Sequence, residues 1–346
     1  MKNEERHWRQ CVFCGKKPDR KNLEHVIPKW LQALAGNQNK PAEVWTPDGD
    51  RNLLWANFTL PSCTSCNQHY GRLEELIKEV FERLEEGYLL GADARLLLDW
   101  MDKIRVGLWR LQLAHGKAGH NITPNFSINE RLATSDRLVR VFKYQTKGKG
   151  IGLVGTDTTA WIRMPSAMAL IVKDIVILSA SAGGFLQEAM GIVEAADAVN
   201  VEGFNTPFMV ARPTGDFKPS WAVDLLRFRQ QRFFTFYTLG EHFHHPIGEV
   251  CTDIEKSVEL VDDEKRFELD TVKTLPQLLE LLVTIEVLEL QRHLLRGYTK
   301  LTLPDEFRPR LRNMYQALDH RIDGLTDVYN SIAPIPTYKR SYLSWA

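Results

Sequence analysis

From Gly71 to Glu86 apolar residues stand at Leu73, Leu76, Ile77, Val80, Phe81 and Leu84. Steps of three and four put them on one face, which predicts a helix. Ala94 to His115 repeats the pattern through Leu96, Leu97, Leu98, Met101, Ile104, Leu108 and Leu111, and predicts a second amphipathic helix. Leu275 to Arg296 and Pro304 to Ile332 predict two more, and the short connection Gly297 to Leu303 suits antiparallel packing of that pair. In between, Arg137 to Gln145, Gly150 to Val154, Trp161 to Met164 and Ala169 to Ala180 alternate or run apolar with β-branched residues. They predict strands, in one antiparallel sheet.

The first 75 or so residues are made of shorter pieces. Leu23 to Pro28 predicts a short strand stopped by Pro28, and Lys29 to Ala35 a brief helix. Gly36 to Arg51 is polar, with Pro41, Pro47 and Asp48-Gly49, and predicts a loop or hairpin. Asn57 to Leu60 is the second short strand.

Composition changes this picture little. The 346 residues are 44% apolar and carry 44 Lys+Arg against 44 Asp+Glu, so the chain can bury a core without disulfides. The opening MKNEERHWRQ lacks the apolar stretch of a secretory signal. Ala167 to Ala180, the longest apolar-looking run, is broken by Lys173 and Asp174 and is too short to span a bilayer. A cytoplasmic protein without a membrane anchor is expected, where reduced thiols favour metal binding over disulfides.

The cysteines carry the first chemistry. Four of five fall in two pairs, Cys11-Val-Phe-Cys14 and Cys63-Thr-Ser-Cys66, with 48 residues between the pairs. Each pair can chelate through a tight turn, and a tetrahedral Zn²⁺ closes the two knuckles on each other. Four sulfur ligands leave no open position, so this zinc is structural. Cys251 stands apart and reads as a buried thiol; Glu241-His242-Phe243-His244-His245 lacks a second ligand group at a known spacing.

Cys11-x-x-Cys14-Gly15, then Glu24-His25-Val26-Ile27-Pro28, then Cys63-x-x-Cys66-Asn67, resembles the zinc-containing HNH (ββα-metal) endonucleases. The resemblance covers residues 8 to 85, about a quarter of the chain. It implies His25 as general base and Glu24 as the acidic metal ligand before it. It implies Asn57 as the asparagine that shapes the loop of the second strand, and Asn67 as the last motif position, a ligand to Mg²⁺ or Mn²⁺. His69 could contact phosphate, although half a helical turn separates it from Asn67. Glu74, two turns after Asn67 on the same face, is a further candidate ligand.

These residue types suit phosphodiester hydrolysis. An imidazole has the right intrinsic pKa to take the proton of attacking water. A divalent cation holds charge on the departing oxygen, and carboxylate and amide oxygens suit Mg²⁺ or Mn²⁺. Residues 1 to 40 hold nine Lys/Arg against four Asp/Glu, a difference of +5. Lys16, Lys17, Arg20, Lys21 and Lys29 are therefore candidate nucleic-acid contacts. A second basic stretch, Arg137, Arg140, Lys143, Lys147 and Lys149, reads as a solvated face in preference to an extension of that track. Trp30, Trp45 and Trp55 could stack on bases, though core packing is the commoner fate of tryptophan.

The expected fold is α+β: a small zinc-stapled ββα-metal nuclease domain over 1–88, then a larger mixed α/β region rich in helices over 89–346 that serves target recognition or regulation. The expected function is metal-dependent hydrolysis of nucleic acid, DNA before RNA, leaving 5′-phosphate and 3′-hydroxyl ends, in bacterial defence or a mobile element by analogy. The alternatives are a non-catalytic zinc-stabilised nucleic-acid-binding module and an RNA-cleaving, toxin-like nuclease. Protein partners or a homo-oligomer are left open.

Overall fold

In the computed structural model, β1 (Leu23–His25) comes first and the chain returns to it only after a long excursion. That excursion holds α1 (Lys29–Leu34), the hairpin β2 (Pro41–Val44) and β3 (Arg51–Leu54), and a 3₁₀ turn at Trp55–Asn57. Then β4 (Thr59–Pro61) pairs antiparallel with β1, setting Glu24 opposite Leu60 and His25 opposite Thr59. The long helix α2 (Thr64–Glu86) follows directly. The second strand is thus shorter than expected, and Asn57 lies in the turn before it. Gly87 ends α2 at φ +98°, a left-handed conformation that suits glycine, and its N–H donates to the carbonyls of Arg83 and Leu84.

The structure describes residues 9–20, 22–44, 46, 49–115, 127–129, 137–145, 148–181, 193–199, 208–213, 226–230, 235–237, 246–249, 264–269, 271–272, 276–299, 305 and 307–332. After Gly87 come β5 (Tyr88–Leu90), α3 (Gly91–His115), β6 (Arg137–Tyr144), β7 (Ile151–Val154), α4 (Thr159–Arg163), β8 (Ala167–Val172) and β9 (Ile175–Ser181). The pairs β10 (Val193–Val199) with β11 (Phe208–Pro213), and β13 (Thr235–Tyr237) with β14 (Pro246–Glu249), are antiparallel ladders on either side of β12 (Leu226–Gln230) in sequence. The chain continues through β15 (Arg266–Glu268), β16 (Thr271–Val272), α5 (Pro276–Thr299) and α6 (Phe307–Ile332). The architecture is mixed α+β.

The main sheet runs β12-β6-β9-β8-β7, all antiparallel, with β16 parallel to the end of β6. The apolar run Ala169 to Ala180 proves to be two strands, β8 and β9, joined by a tight turn in which Lys173 adopts φ +57°. Trp161 to Met164 is not a strand: Trp161 to Arg163 belong to α4. A run of four bulky residues has no period to distinguish the two, and the Thr158 hydroxyl decides by accepting from the Trp161 N–H at 2.9 Å as an N-cap. Helices α5 and α6 pack on one another, and Gln291 of α5 donates to the carbonyls of Gly155 and Ala167 at 2.7 and 2.8 Å.

Helix α3 departs most from expectation. Its pattern predicts one wet face, yet the helix is buried on nearly every side from Ala94 to Gln112. Its charges are tolerated because they are partnered. Asp93 accepts two bonds from Arg83 at 2.8 and 2.6 Å. Arg105 pairs with Asp102 and donates to the carbonyls of Pro165 at 2.6 Å and Ser181 at 3.1 Å. One contiguous core results, from Cys11, Val26, Leu60 and Ile77 through Trp100 and Ile104 to Val139, Leu170 and Ile177.

Candidate metal centre and carboxylate site

The first knuckle is a tight turn. Cys11 N–H donates to the Lys16 carbonyl at 2.8 Å and Gly15 N–H to the Cys11 carbonyl at 2.9 Å, with Gly15 at φ +70°. The Val12 N–H reaches the Pro61 carbonyl at 2.9 Å, tying the knuckle to β4. The second knuckle is the start of α2, with Cys63 at the N-cap and Cys66 in the first turn. All four sulfurs lie within 4.8 Å of one another, and the Cys14 and Cys63 sulfurs are 3.8 Å apart. A tetrahedral ion with metal–sulfur bonds of about 2.3 Å needs sulfurs about 3.8 Å apart. The donor set therefore fits a thiophilic, four-coordinate metal such as zinc.

The thiols differ electrostatically. Burial, with the neighbouring thiols adding, pushes Cys63 up to about 11 and Cys66 up to about 12. For Cys14 burial pulls upward too, but the Lys16 N–H and the thiols of Cys11, Cys63 and Cys66 outweigh it, and the net shift is downward. Thiolates that repel one another in this way are brought to the charged state by a dication. Phe13 stacks on Tyr70 at 4.1 Å, and the Tyr70 hydroxyl donates to Asn129 at 2.6 Å, which holds the first knuckle against α2.

Further along α2 the expected carboxylates meet. Glu24 is buried, and on α2 the inward stripe Asn67, Tyr70, Glu74, Ile77 carries Glu74 to the same place. What lies between the carboxylates is the ammonium of Lys103 from α3, 2.5 Å from Glu24 and donating to Glu74. Burial pushes the Glu24 carboxyl up, Lys103 draws it down, and Glu74 adds to the rise. His25 is half-buried at the end of β1; burial, then Lys29 and Lys103, hold its pKa below the ordinary value. Neither its ring nitrogens nor the Asn67 amide makes a hydrogen bond among the described residues; the Asn67 N–H donates to the Cys63 carbonyl at 2.9 Å. His69 is exposed, edge-on to Tyr70 at 5.1 Å, and Asn57 is exposed in its turn.

Lys103 is the residue that the sequence analysis missed. A signal existed: Leu98, Val106 and Trp109 extend the apolar surface of α3 well beyond the stripe of Leu97, Met101, Ile104 and Leu108. Too little of the circumference is left for every charge to reach water.

The basic candidates divide. Lys16, Lys17, Arg20 and Lys29 are exposed near the first knuckle and β1; Lys21 lies outside the described residues. In the second basic stretch the solvated-face reading is overturned for two residues. Arg137 is buried against Asp99 and Asp102, and Arg140 is fully buried against Glu286. Both faces of β6 are covered, so strand alternation sends neither arginine to water. Lys143 donates to the Glu85 carbonyl at 2.8 Å, and Lys149 is exposed. Lys147, Trp45, Cys251 and the 241–245 cluster lie outside the described residues. Trp55 is buried on Phe58, and Trp30 packs on Phe81 and Trp100, so both serve the core.

The chain matches no family profile, no curated protein and no solved structure. Among the described residues no helix is long and apolar enough to cross a membrane.

Proposed function

We propose that this chain is an endonuclease of the HNH (ββα-metal) type, hydrolysing phosphodiester bonds of nucleic acid, DNA before RNA. One observation carries the reading: two antiparallel strands and a helix that starts at a four-cysteine cluster bring Glu24 and Glu74 onto one ammonium, with His25 next to Glu24 in β1. Zinc at Cys11, Cys14, Cys63 and Cys66 is structural, since no coordination position remains for water. Residues 1–88 then carry the chemistry and 89–346 the choice of target.

In this reading His25 is the general base. Its lowered pKa keeps the imidazole neutral near pH 7, free to take the proton of a water attacking phosphorus in line with the departing 3′ oxygen. Products are 5′-phosphate and 3′-hydroxyl ends. The exposed Lys16, Lys17, Arg20 and Lys29 neutralise phosphates and hold the strand. The resemblance also implies Mg²⁺ or Mn²⁺ at Glu24 and Asn67. As folded, these residues do not fit it: Glu24 already holds the Lys103 ammonium at 2.5 Å, and an ammonium and a dication repel across a shared carboxylate.

The test is incubation of the purified full-length protein with supercoiled plasmid, single-stranded DNA and RNA, each with Mg²⁺, Mn²⁺ or EDTA. Cleavage is expected, and His25→Ala should slow it ~10²–10⁴-fold without loss of zinc. A His25→Ala protein with unchanged turnover sinks the assignment. The seated Lys103 favours one second reading, a zinc-stabilised nucleic-acid-binding module without catalysis. Binding without cleavage of any substrate in any metal selects it.

A further inference from the structure

Lys103 projects from the middle of α3 and is 2% exposed. Its ammonium touches both Glu24 and Glu74, so two carboxyl groups converge on one buried ammonium. A packing role does not require this. One carboxylate would neutralise the ammonium, and an apolar side chain of the same volume fills such a place at lower cost in desolvation. What the cluster does provide is a place built for a cation, defined by two carboxylates from separate elements, β1 and α2.

We infer that Lys103 is the resident cation of the Glu24–Glu74 pair, and that a divalent metal reaches these carboxylates only by displacing its ammonium. The inference rests on the reading of Glu24 and His25 as a reaction site. The reason is geometric. Mg²⁺ binds carboxylate oxygen at about 2.1 Å and demands an ordered shell of six oxygens. An ammonium 2.5 Å from Glu24 lies inside that shell. Two cations cannot share it, and the positive charges repel in a place where water screens them poorly. The lysine stem can yield where the helix cannot. Arg105 and Trp109 pin α3 to carbonyls of Pro165, Ser181 and Ile162, whereas Lys103 hangs on four rotatable bonds.

The experiment measures Mn²⁺ binding to the full-length, zinc-loaded protein by the electron paramagnetic resonance of free Mn²⁺, without nucleic acid. Lys103→Met should bind Mn²⁺ at least about ten-fold tighter than the wild type, and adding Glu24→Gln should abolish the gain. Zinc content and thermal melting establish that each variant is folded. A folded, zinc-loaded Lys103→Met protein that binds Mn²⁺ no tighter than wild type overturns the inference. Should Lys103→Met not fold, wild type against Glu24→Gln decides. Tight micromolar binding lost in Glu24→Gln refutes exclusion by Lys103, and the absence of Glu24-dependent binding upholds it. Because no nucleic acid is present, a failure of the nuclease reading shows in the cleavage assay alone.

Discussion

Cys63 stands at three junctions. Its sulfur is 3.8 Å from that of Cys14, its N–H donates to the Cys11 sulfur at 3.2 Å, and it is the N-cap of α2. Cys63→Ser removes a thiolate but leaves a hydroxyl where serine is among the preferred caps, so it separates metal ligation from helix capping. A structural zinc contributes roughly 10–16 kcal/mol of apparent folding free energy at pH 7, or about 2.5–4 kcal/mol for each of four ligands. Cys63 makes no side-chain capping bond, so the serine can return about 1 kcal/mol. The net loss is about 1.5–3 kcal/mol, a large share of the ~5–15 kcal/mol that holds a typical fold. The assay is zinc per chain by elemental analysis after dialysis against EDTA, with melting followed by tryptophan fluorescence. Wild type should keep one zinc and Cys63→Ser should fall well below it. A variant that keeps its zinc and melts within about 0.5 kcal/mol of wild type refutes the reasoning, as does a native Cys11–Cys14 disulfide.

The rate of cleavage should rise with pH as His25 loses its proton, with the midpoint of the rise acid of 6.5, the ordinary histidine value, because burial and the charges of Lys29 and Lys103 disfavour the imidazolium. A limb lying alkaline of that value would contradict the neutral-base assignment. Arg140→Ala should cost about 3 kcal/mol in a denaturant titration, near the low end for a broken buried pair because Glu286 keeps some contact with water. A change below about 0.5 kcal/mol would return Arg140 to the solvated face.

The cysteine pairs were legible in the sequence because thiol spacing alone predicts which residues converge, and Cys11, Cys14, Cys63 and Cys66 do converge. Helix α2 was legible in its period, although its first turn was hidden inside the second knuckle. The Glu24–Glu74 meeting was half legible: the seven-residue step from Asn67 to Glu74 sets the face of α2, but nothing local says that α3 passes beside it. Periodicity assumes that charge marks the wet side, and α3 breaks the assumption by pairing Asp102 with Arg105 and Lys103 with Glu24. Arg137 and Arg140 were misread for the same reason. Their partners Asp99, Asp102 and Glu286 lie 35 to 146 residues away in sequence, beyond the reach of any local pattern. Trp161 was a different failure, since its capping threonine was present to be read.

Adjacent residues of α3 reach in different directions. Lys103 goes to the carboxylates of β1 and α2, while Asp102 and Arg105 go to the sheet and the chain before it. A rotation of one side chain alters one set and spares the other. A slide of the rod along its axis spares neither, because a single turn is about 5.4 Å, far beyond the reach of any of these bonds. The helix is therefore a keyed shaft. A slide of α3 would break both sets of ionic teeth together, so the helix keeps the Glu24–Glu74 pair and the sheet in one register.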